Sequence, residues 1–495
     1  MKHKLRSLPK FACDFCLALA VLFACFSCRV HHHPDSLFSS EDMQKDLYWL
    51  QTKVLDYHPA CIDSLRFDSV ATAFQMAYYE ATKPMNELQF LRSLRITLNT
   101  LRCGHTTAVP SKSFYRYYRT AKPKPLFPIQ VYAREPGLYV RYNGSNDTTI
   151  SPGDQILSIN QASVSAIKEG IAEFLPADGY HNSFKSYHLS LNFPTYYLFL
   201  KGPNYSYEAG MVDSMGRYSS HIFALRSQGR STTRQLPMKS TKILKSDNYR
   251  ALGRLISNSK IGYLRVYAFG GSSSWYEKAF SEIEKKGYDH LILDLRGNSG
   301  GNLFNANELL TYLLEDTFSL RFEREKKRIR FNGNSDFNYG QRFAMNLFDW
   351  MPSKTKKAGG STCERVGEKR IYRFRFEPKK KHHFRGKMVV LMDGGTFSAS
   401  SLVAAMLRKK MQIPLVGEES GGAASGSFAM MMPTLTLPRT KMRVTLPLFH
   451  LNHEMGPVPF RGLLPDLKLE PNISLKIKGI DSDLEYLARH PELFQ

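Results

Sequence analysis

Residues 386–406 read Gly-Lys-Met-Val-Val-Leu-Met-Asp-Gly-Gly-Thr-Phe-Ser-Ala-Ser-Ser-Leu-Val-Ala-Ala-Met. Residues 388–392 form an unbroken apolar run, which is typical of a strand that is buried on both faces. The Asp-Gly-Gly that follows predicts a tight turn, because only small or flexible residues tolerate one. Residues 402–407 then have a helical pattern. Ser398 therefore lies where a buried strand passes into a helix.

A serine in this position has two interpretations. Free backbone N–H groups and the helix dipole favour negative charge at a helix N-terminus, and a nucleophilic serine needs such an environment because its attack creates an oxyanion. The other interpretation is an ordinary N-cap serine, which helix starts commonly carry. The rest of the chain has to decide between them.

The chain from residue 260 alternates between strand and helix patterns. This alternation predicts an α/β domain with a largely parallel central sheet, whose strands end at one ligand-binding edge. Gly300 or Gly301, at the end of one such strand, could join the N–H of Ala399 in an oxyanion hole for Ser398. The predicted strands are 261–266, 291–295, 388–392, 413–416 and 442–446, and the predicted helices are 274–286, 306–314 and 402–407.

The first part of the mature chain is predicted to be helical, with helices at 41–56, 69–80 and 86–102. Gly104 would be the C-cap of the third helix, so that His105 emerges from the helix end into a loop. The competing interpretation of His105 is a buried core histidine with satisfied hydrogen bonds.

A small β-rich region follows the helices. Residues 126–133 and 138–142 alternate like the strands of a hairpin, and a helix is predicted at 165–175. The run 151–160, Ser-Pro-Gly-Asp-Gln-Ile-Leu-Ser-Ile-Asn, resembles the core of a PDZ domain, although Gln161 replaces the usual glycine. A PDZ domain adds an extended peptide to a sheet edge. Any other small β-rich domain is the alternative.

The N-terminus has the pattern of an export signal. Basic residues precede an apolar stretch at 11–26 that is too short to span a membrane comfortably. Cys25 and Cys28 follow small residues, so the segment resembles a bacterial lipoprotein signal in which one of these cysteines is lipidated. An ordinary cleaved signal peptide is the alternative. Residues 29–40 are predicted to be a tether.

Charge and cysteine content limit the other classes of function. The net charge is +24, from 68 basic and 44 acidic residues, with a basic run at 379–385 that could contact anionic lipid or glycan or could be a solvated loop. No basic groove with stacking aromatic residues supports nucleic-acid binding. The cysteines beyond the leader form no disulfide framework and no metal-ligand spacing, so we expect no metal and no cofactor; a Cys61–Cys103 bridge is the one conceivable pair.

Three segments together resemble the carboxy-terminal processing proteases and the tricorn core protease, which form one family of serine peptidases. These segments are 294–301, 396–401 and 417–422. The resemblance extends to the PDZ-like run, to 462–466 and to 104–106. It implies an α/β peptidase core of the ClpP/crotonase-like kind with an N-terminal helical domain and a PDZ-like domain. The expected divisions are 1–28 signal, 29–40 tether, 41–110 helical domain, 120–245 PDZ-like domain with an insertion, 250–480 peptidase core with a basic insertion at 316–384, and 481–495 C-terminal helix.

The family has two catalytic schemes, and the resemblance implies which one applies. In the Ser–Lys scheme a lysine lies 25 residues beyond the serine, but Ala423 stands there and no lysine occurs between Met411 and Arg439. In the tricorn-type branch a histidine at the end of the helical region is the base, and His105 matches it. Glu454 is then the expected third residue, with His450 and His453 nearby for other roles. Ser398 aligns with the family's serine, whereas Ser400 is the rival nucleophile.

The sequence therefore predicts an exported serine peptidase that hydrolyses extended peptides or protein C-termini, with a peptide or protein as substrate. We expect it at the bacterial cell envelope, in the periplasm or at the cell surface, held by a lipid anchor. The first alternative is a catalytically inactive relative that binds peptides. The second is an envelope surface protein whose basic insertion binds anionic glycan or lipid.

Overall fold

A computed structural model describes most of the chain beyond the leader. The described residues are 36–61, 64–121, 124–134, 136–225, 239–325, 335–336, 362–366, 369–456 and 460–495. Cys25, Cys28 and most of the predicted tether lie outside them. Within this part of the chain, no helix is long and apolar enough to cross a membrane.

The described helices mostly match the periodic segments of the sequence. The predicted helix at 274–286 has the bounds that the pattern gives, and the third N-terminal helix ends at Asn99 rather than at residue 102. The helices are Ser40–Tyr57, Ser64–Glu80, Glu87–Asn99, Lys112–Thr120, Val164–Phe174, Ser183–Lys201, Ser274–Lys286, Leu303–Thr311, Ala399–Met411, Ile473–Ile477 and Ser482–Arg489.

The strands fall into four sheets. They are β1 Thr107–Val109, β2 Ile129–Arg134, β3 Gly137–Asn143, β4 Gln155–Ile159, β5 Ala162–Ser163, β6 Ser206–Val212, β7 Tyr218–Ala224, β8 Thr241–Ser246, β9 Arg250–Leu255, β10 Ile261–Val266, β11 His290–Asp294, β12 Phe318–Glu325, β13 Thr362–Val366, β14 Lys369–Phe376, β15 Lys387–Met392, β16 Leu415–Gly417, β17 Gly426–Ala429, β18 Thr434–Thr436, β19 Arg443–Thr445, β20 Phe449–Asn452 and β21 Leu467–Lys468.

The central sheet has seven strands in the order β21-β16-β15-β11-β10-β9-β8. The five strands from β21 to β10 are parallel, while β9 and β8 are antiparallel. The predicted α/β class with a largely parallel sheet is confirmed. Because β11 and β15 are parallel neighbours, the turns that follow them lie side by side at one edge.

Both faces of this sheet are covered, which explains the continuous apolar runs in its strands. Alternate residues point to opposite faces. Leu291 and Leu293 join the large core of the molecule, whereas Ile292 joins a smaller cluster. Leu484 and Leu487 of the C-terminal helix complete that smaller cluster. The last helix of the chain is thus part of the packing of the central sheet.

A three-stranded sheet connects the helical N-terminal region to the core. Strand β1 directly follows His105, and it pairs antiparallel with β19, so that Thr107 lies opposite Thr445. Strand β19 also pairs with β18. This sheet fixes the position of the segment 103–106 relative to residues that are more than 300 positions later in the chain.

The basic insertion forms strands in its described part. Its sequence predicts a strand pair near 328–331 and 370–376, but 328–331 lie outside the described residues. Strand β14 pairs with β12 and β13, in a five-stranded sheet with the order β13-β14-β12-β20-β17. Alternating aromatic residues on β12 and β14 stack across this pair, which fixes their register.

The remaining sheet contains β2 to β7, with the order β2-β3-β4-β6-β7 and β5 paired to β4. The helix Val164–Phe174 begins after an N-cap at Ser163. The stretch that the sequence left unassigned contains the helix Ser183–Lys201 and strands β6 and β7. The PDZ-like identity of this region and the predicted domain boundaries stay predictions.

Candidate active site

Ser398 occupies a strained corner between β15 and the helix Ala399–Met411. Its backbone has φ 57° and ψ −123°, which lies outside the regions that ordinary L-residues adopt. Such strain is found where a fold holds a side chain for function, as in strand-to-helix nucleophile turns. The serine side chain makes no capping hydrogen bond to the helix. The N-cap interpretation of Ser398 therefore does not describe this corner.

His105 lies against this serine. Its Nε2 is 3.0 Å from Ser398 Oγ, across 293 positions of sequence. The imidazole also packs against the ring of Phe397, with centroids 4.5 Å apart. Phe397 in turn stacks on Phe184, with centroids 4.3 Å apart. The base candidate is thus held at hydrogen-bonding distance from the nucleophile candidate by a small aromatic stack.

Gly104 has a different role from the predicted one. The preceding helix ends at Asn99 with Thr100 as its C-cap, so Gly104 is not a helix cap. A Cβ at Gly104 would lie 2.6 Å from Phe397 Cζ, which is too close for any real contact. The glycine is therefore needed because it lets Phe397 approach the segment that carries His105.

The glycine-rich turn after β11 lies directly under Ser398. Gly300 has φ +106°, and a Cβ there would lie 2.8 Å from Ser398 Cβ. The N–H of Gly300 already donates to Asn298 Oδ1 at 2.8 Å. Among the described residues, no hydrogen bond has the amide of Gly301 or of Ala399 as its donor. Of the predicted oxyanion-hole donors, Gly301 and Ala399 are therefore the ones with an uncommitted N–H.

Asp393 joins the two turns. Its Oδ1 accepts from the N–H of Gly297 at 2.7 Å and from the N–H of Gly395 at 2.8 Å. The third segment of the predicted set supports the same corner, because the amides of Gly421 and Gly422 both donate to Thr396 O. The three segments that the sequence singled out thus meet around Ser398.

Two other predicted residues have different positions. Ser400 is fully buried inside the helix, and its Oγ has no hydrogen-bond partner in the described part of the chain, so it is not presented to the imidazole. Glu454, the expected third residue, pairs with Arg321 at 3.6 Å and is exposed. The expectation that Glu454 orients His105 is therefore wrong for this geometry, because β20 directs the segment after it towards β12 instead.

The two nearby histidines also have structural partners. His450 Nδ1 lies 3.3 Å from Glu323 Oε1, and His453 Nδ1 lies 3.0 Å from Ala424 O. Within the described residues, neither histidine forms a hydrogen bond with Ser398. His105 is the histidine that does so.

The surroundings of His105 keep it neutral. Burial lowers the pKa of its imidazole to about 4. The neutral form can accept a proton, so the histidine is in its basic form at neutral pH. Asp178 also lies at this site, because one ligand-type atom from each of Cys103, His105 and Asp178 lies within 4.8 Å of the others. Sequence reasoning missed Asp178 because it lies in the stretch with no clear periodicity. An Asp-Gly pair, which marks a turn, was the only local signal there.

Part of the basic run at 379–385 is neutralised within the chain. Lys379 Nζ lies 3.0 Å from Glu308, and His382 Nδ1 lies 2.5 Å from Glu284. Lys380, Lys381 and Arg385 remain exposed. Cys61 and Cys103 are both buried free thiols, so the conceivable bridge between them is not formed.

A parallel α/β sheet with a strained serine, a histidine and a glycine turn at its carboxyl edge defines a serine hydrolase class of site. Comparison with known families agrees with this class: residues 260–469 match Peptidase family S41. Residues 260–469 are thus similar to the domain that defines that family. The resemblance to the carboxy-terminal processing proteases is confirmed.

Two further similarities concern the sequence and the fold. The carboxy-terminal processing protease CtpB of Bacillus subtilis (strain 168) is 24% identical over 178 residues, which are 36% of this chain and 28% of that protein. The alignment therefore spans less than a third of the relative's length. Crystal structures of mature CPAF share the fold: one has a TM-score of 0.63 at 13% identity and covers 92% of this chain and 97% of the other. Mature CPAF complexed with lactacystin gives 0.64 at 12% identity, covering 92% and 98%.

Proposed function

We propose that this protein is an exported serine endopeptidase of the tricorn-like branch, which hydrolyses extended peptides or protein C-termini through a Ser398–His105 acyl-enzyme mechanism. The observation that carries the proposal is the 3.0 Å contact between His105 Nε2 and Ser398 Oγ. Ala423 occupies the position of the lysine that the alternative scheme requires. A histidine base is therefore the chemistry that the residues favour.

The proposed reaction begins with proton transfer from Ser398 Oγ to His105 Nε2 as the oxygen attacks a peptide carbonyl. The amides of Gly301 and Ala399 would donate to the developing oxyanion, at the positive end of the helix Ala399–Met411. His105 then returns the proton to the leaving amine, and a water molecule releases the acyl group by the reverse sequence. Because burial keeps the pKa of His105 at about 4, the base is available throughout the neutral range.

A serine-directed fluorophosphonate probe tests the nucleophile assignment. We expect the folded protein to be labelled on Ser398, because the neutral imidazole beside it activates the hydroxyl. Ser398→Ala should abolish labelling, whereas the matched control Ser400→Ala, two residues away and buried, should retain it. Intact-mass measurement after labelling gives the result.

Two outcomes would contradict the assignment. If labelling were lost in Ser400→Ala but kept in Ser398→Ala, the nucleophile would be Ser400 rather than Ser398. A folded wild-type protein that takes no label and cleaves no peptide in a library would favour the inactive, peptide-binding relative.

The location is a separate part of the proposal. The leader pattern supports export and lipidation of Cys25 or Cys28, which would anchor the enzyme at the cell envelope. Intact-mass analysis of the mature protein should show an acylated N-terminal cysteine. A mature chain that begins with a free α-amino group and carries no acyl mass would contradict the anchor, while leaving export itself in place.

A further inference from the structure

We propose that Asp178 is the carboxylate that positions His105, in place of the glutamate that the sequence led us to expect. Asp178 reaches the site from the turn before the helix Ser183–Lys201, an element that carries none of the family-like segments. The proposal rests on the proposed function, because it concerns how the Ser398–His105 pair is held. Asp178 acts through His105, so it is a positioning residue.

Two buried polar atoms without partners carry the inference. His105 Nδ1 and Asp178 Oδ2 are both buried, and neither has a hydrogen-bond partner in the described part of the chain. One ligand-type atom from each of Cys103, His105 and Asp178 lies within 4.8 Å of the others. An imidazole Nδ1–H needs an acceptor, and a buried carboxylate oxygen needs a donor. A hydrogen bond between Nδ1–H and Oδ2 would satisfy both atoms at once.

The other carboxylate oxygen of Asp178 and its backbone turn are held by hydrogen bonds, which leaves Oδ2 for His105. Its Oδ1 accepts from the N–H of Gly104 at 2.7 Å, next to His105 in the chain. The N–H of Gly179 donates to Arg102 O at 3.2 Å, and the N–H of Tyr180 donates to Phe460 O at 3.2 Å. The turn that carries Asp178 is therefore bonded to the chain just before His105, at Arg102 and Gly104, and to a separate loop at Phe460.

The expected carboxylate makes no hydrogen bond to the same atom in the described part of the chain. Glu454 is exposed and pairs with Arg321 at 3.6 Å. The imidazole is bounded on one side by Phe397, with ring centroids 4.5 Å apart, and by Ser398 at Nε2. Asp178 is the carboxylate of the described residues that lies in the His105 cluster.

The surroundings of Asp178 raise the pKa of its carboxyl group into the neutral range. Burial raises the pKa of Asp178 to about 7, although the nearby amides of Gly104 and Ala423 and the charge of Arg66 oppose the shift. Around the same site, burial lowers the pKa of His58 to about 3 and raises the pKa of the Cys103 thiol to about 12. The ionised form of Asp178 therefore becomes populated as pH rises through about 7.

This titration should appear in the enzyme's pH profile. When His105 takes the proton of Ser398, an anion beside Nδ1 stabilises the imidazolium and holds the tautomer in which Nε2 accepts. Only ionised Asp178 supplies that anion. The value of kcat/KM for peptide hydrolysis should therefore rise with pH along a limb centred near 7, rather than near the pKa of about 4 that burial gives His105.

A metal ion at the same cluster is the competing interpretation. Cysteine, histidine and aspartate are ligands that Zn²⁺ accepts. However, the Cys103 thiol is directed at Phe428 O, 3.7 Å away, and its raised pKa disfavours the thiolate that zinc requires. A metal there would also occupy the base of the proposed reaction, so it would inhibit.

The test uses the full mature chain and a peptide substrate found by library digestion. Asp178→Asn keeps an oxygen for the Gly104 amide but removes the charge. We expect kcat to fall between about 10²- and 10⁴-fold with KM within a few-fold, and the limb near pH 7 to disappear. Asp154→Asn, a buried aspartate outside the site, and Glu454→Gln should each change kcat less than about twofold.

The outcomes separate this proposal from the proposed function. An active wild-type enzyme with unchanged kcat and pH limb in Asp178→Asn overturns the positioning role alone. If the variant does not fold, the wild-type profile decides, because a wild-type kcat/KM without a limb near pH 7 overturns the role as well. Activation of the wild type, but not of Asp178→Asn, by EDTA would assign the cluster to a metal instead. A wild type that neither hydrolyses peptides nor takes the fluorophosphonate overturns both proposals.

Discussion

Replacing His105 with alanine should lower kcat for peptide hydrolysis by about 10⁵- to 10⁶-fold while changing KM only a few-fold. The size follows from the 3.0 Å contact between His105 Nε2 and Ser398 Oγ, since without the imidazole nothing in that contact can accept the serine proton. The scissile peptide is held by other groups, so binding should persist. Steady-state kinetics on one peptide substrate measure both quantities.

The combined variant gives a sharper result. Ser398→Ala should cost about as much as His105→Ala, and the double variant should cost no more than either, because the two residues act in one step. His290→Ala provides the control, since His290 begins β11, at the far end of that strand from the glycine turn, where its ring contacts Asp289 and Phe494. Additive losses in the double variant, or more than a tenth of wild-type kcat in His105→Ala, would mean that the pair does not work as a unit.

Local sequence signals were sufficient for most of the peptidase core. The strand at 261–266 and the helix at 274–286 have the predicted bounds. A strand that is covered on both faces gives a short apolar run in the sequence, and an amphipathic helix gives apolar residues at helical spacing, so both can be recognised locally. The predicted pair of 328–331 with 370–376 is a different case, because 328–331 lie outside the described residues. Strand register depends on partners that are far apart in the chain, and the described partner of Lys369–Phe376 is Phe318–Glu325, with Phe322 stacked on Tyr372.

The residues of the candidate site also differ in whether local sequence could predict them. Ser398 and the glycine turn could be predicted from the local strand–turn–helix pattern, and His105 was predicted from the family resemblance. Glu454 was placed by analogy of position, yet the turn after β20 directs it to Arg321. The only local signal at Asp178 is its Asp-Gly pair, which predicts a turn but does not place the carboxylate beside His105. Its place beside His105 results from the bonds that Gly104, Gly179 and Tyr180 make between distant loops, and no periodicity in the sequence encodes those bonds.

The buried ion cluster around Asp294 was also invisible to pattern reasoning. Asp294 ends β11, just before the glycine turn, and is fully buried. Its carboxylate accepts from Tyr263 Oη at 2.9 Å, from Arg265, and from Arg296 Nη2 at 2.7 Å. Arg296 continues to Asp481 at 2.7 Å, at the start of the C-terminal helix. The cluster therefore ties the turn beneath Ser398 to the last helix of the chain.

Asp294→Asn should lower the free energy of unfolding by about 3–5 kcal/mol, because it leaves buried guanidinium groups without their shared counter-charge. Burial opposes ionisation of Asp294, but Arg265 and Arg296 outweigh it and hold the pKa of the carboxyl far below its usual range. A depressed pKa gives stability that is present above the unfolded value of about 3.9 and is lost as pH falls below it. The wild type should thus keep this contribution at neutral pH, and the deficit of the variant should shrink in strong acid.

Urea titrations at several pH values measure the difference through the midpoint at constant m. Glu470→Gln is the matched control, because its pair with Lys468 at 2.6 Å is mostly exposed and should contribute nothing measurable. A loss in Asp294→Asn no larger than in this control would mean that solvent reaches the cluster and screens it. A full loss, with peptide hydrolysis reduced even where the variant is folded, would mean that the same charges that hold the C-terminal helix also hold the turn beneath the nucleophile.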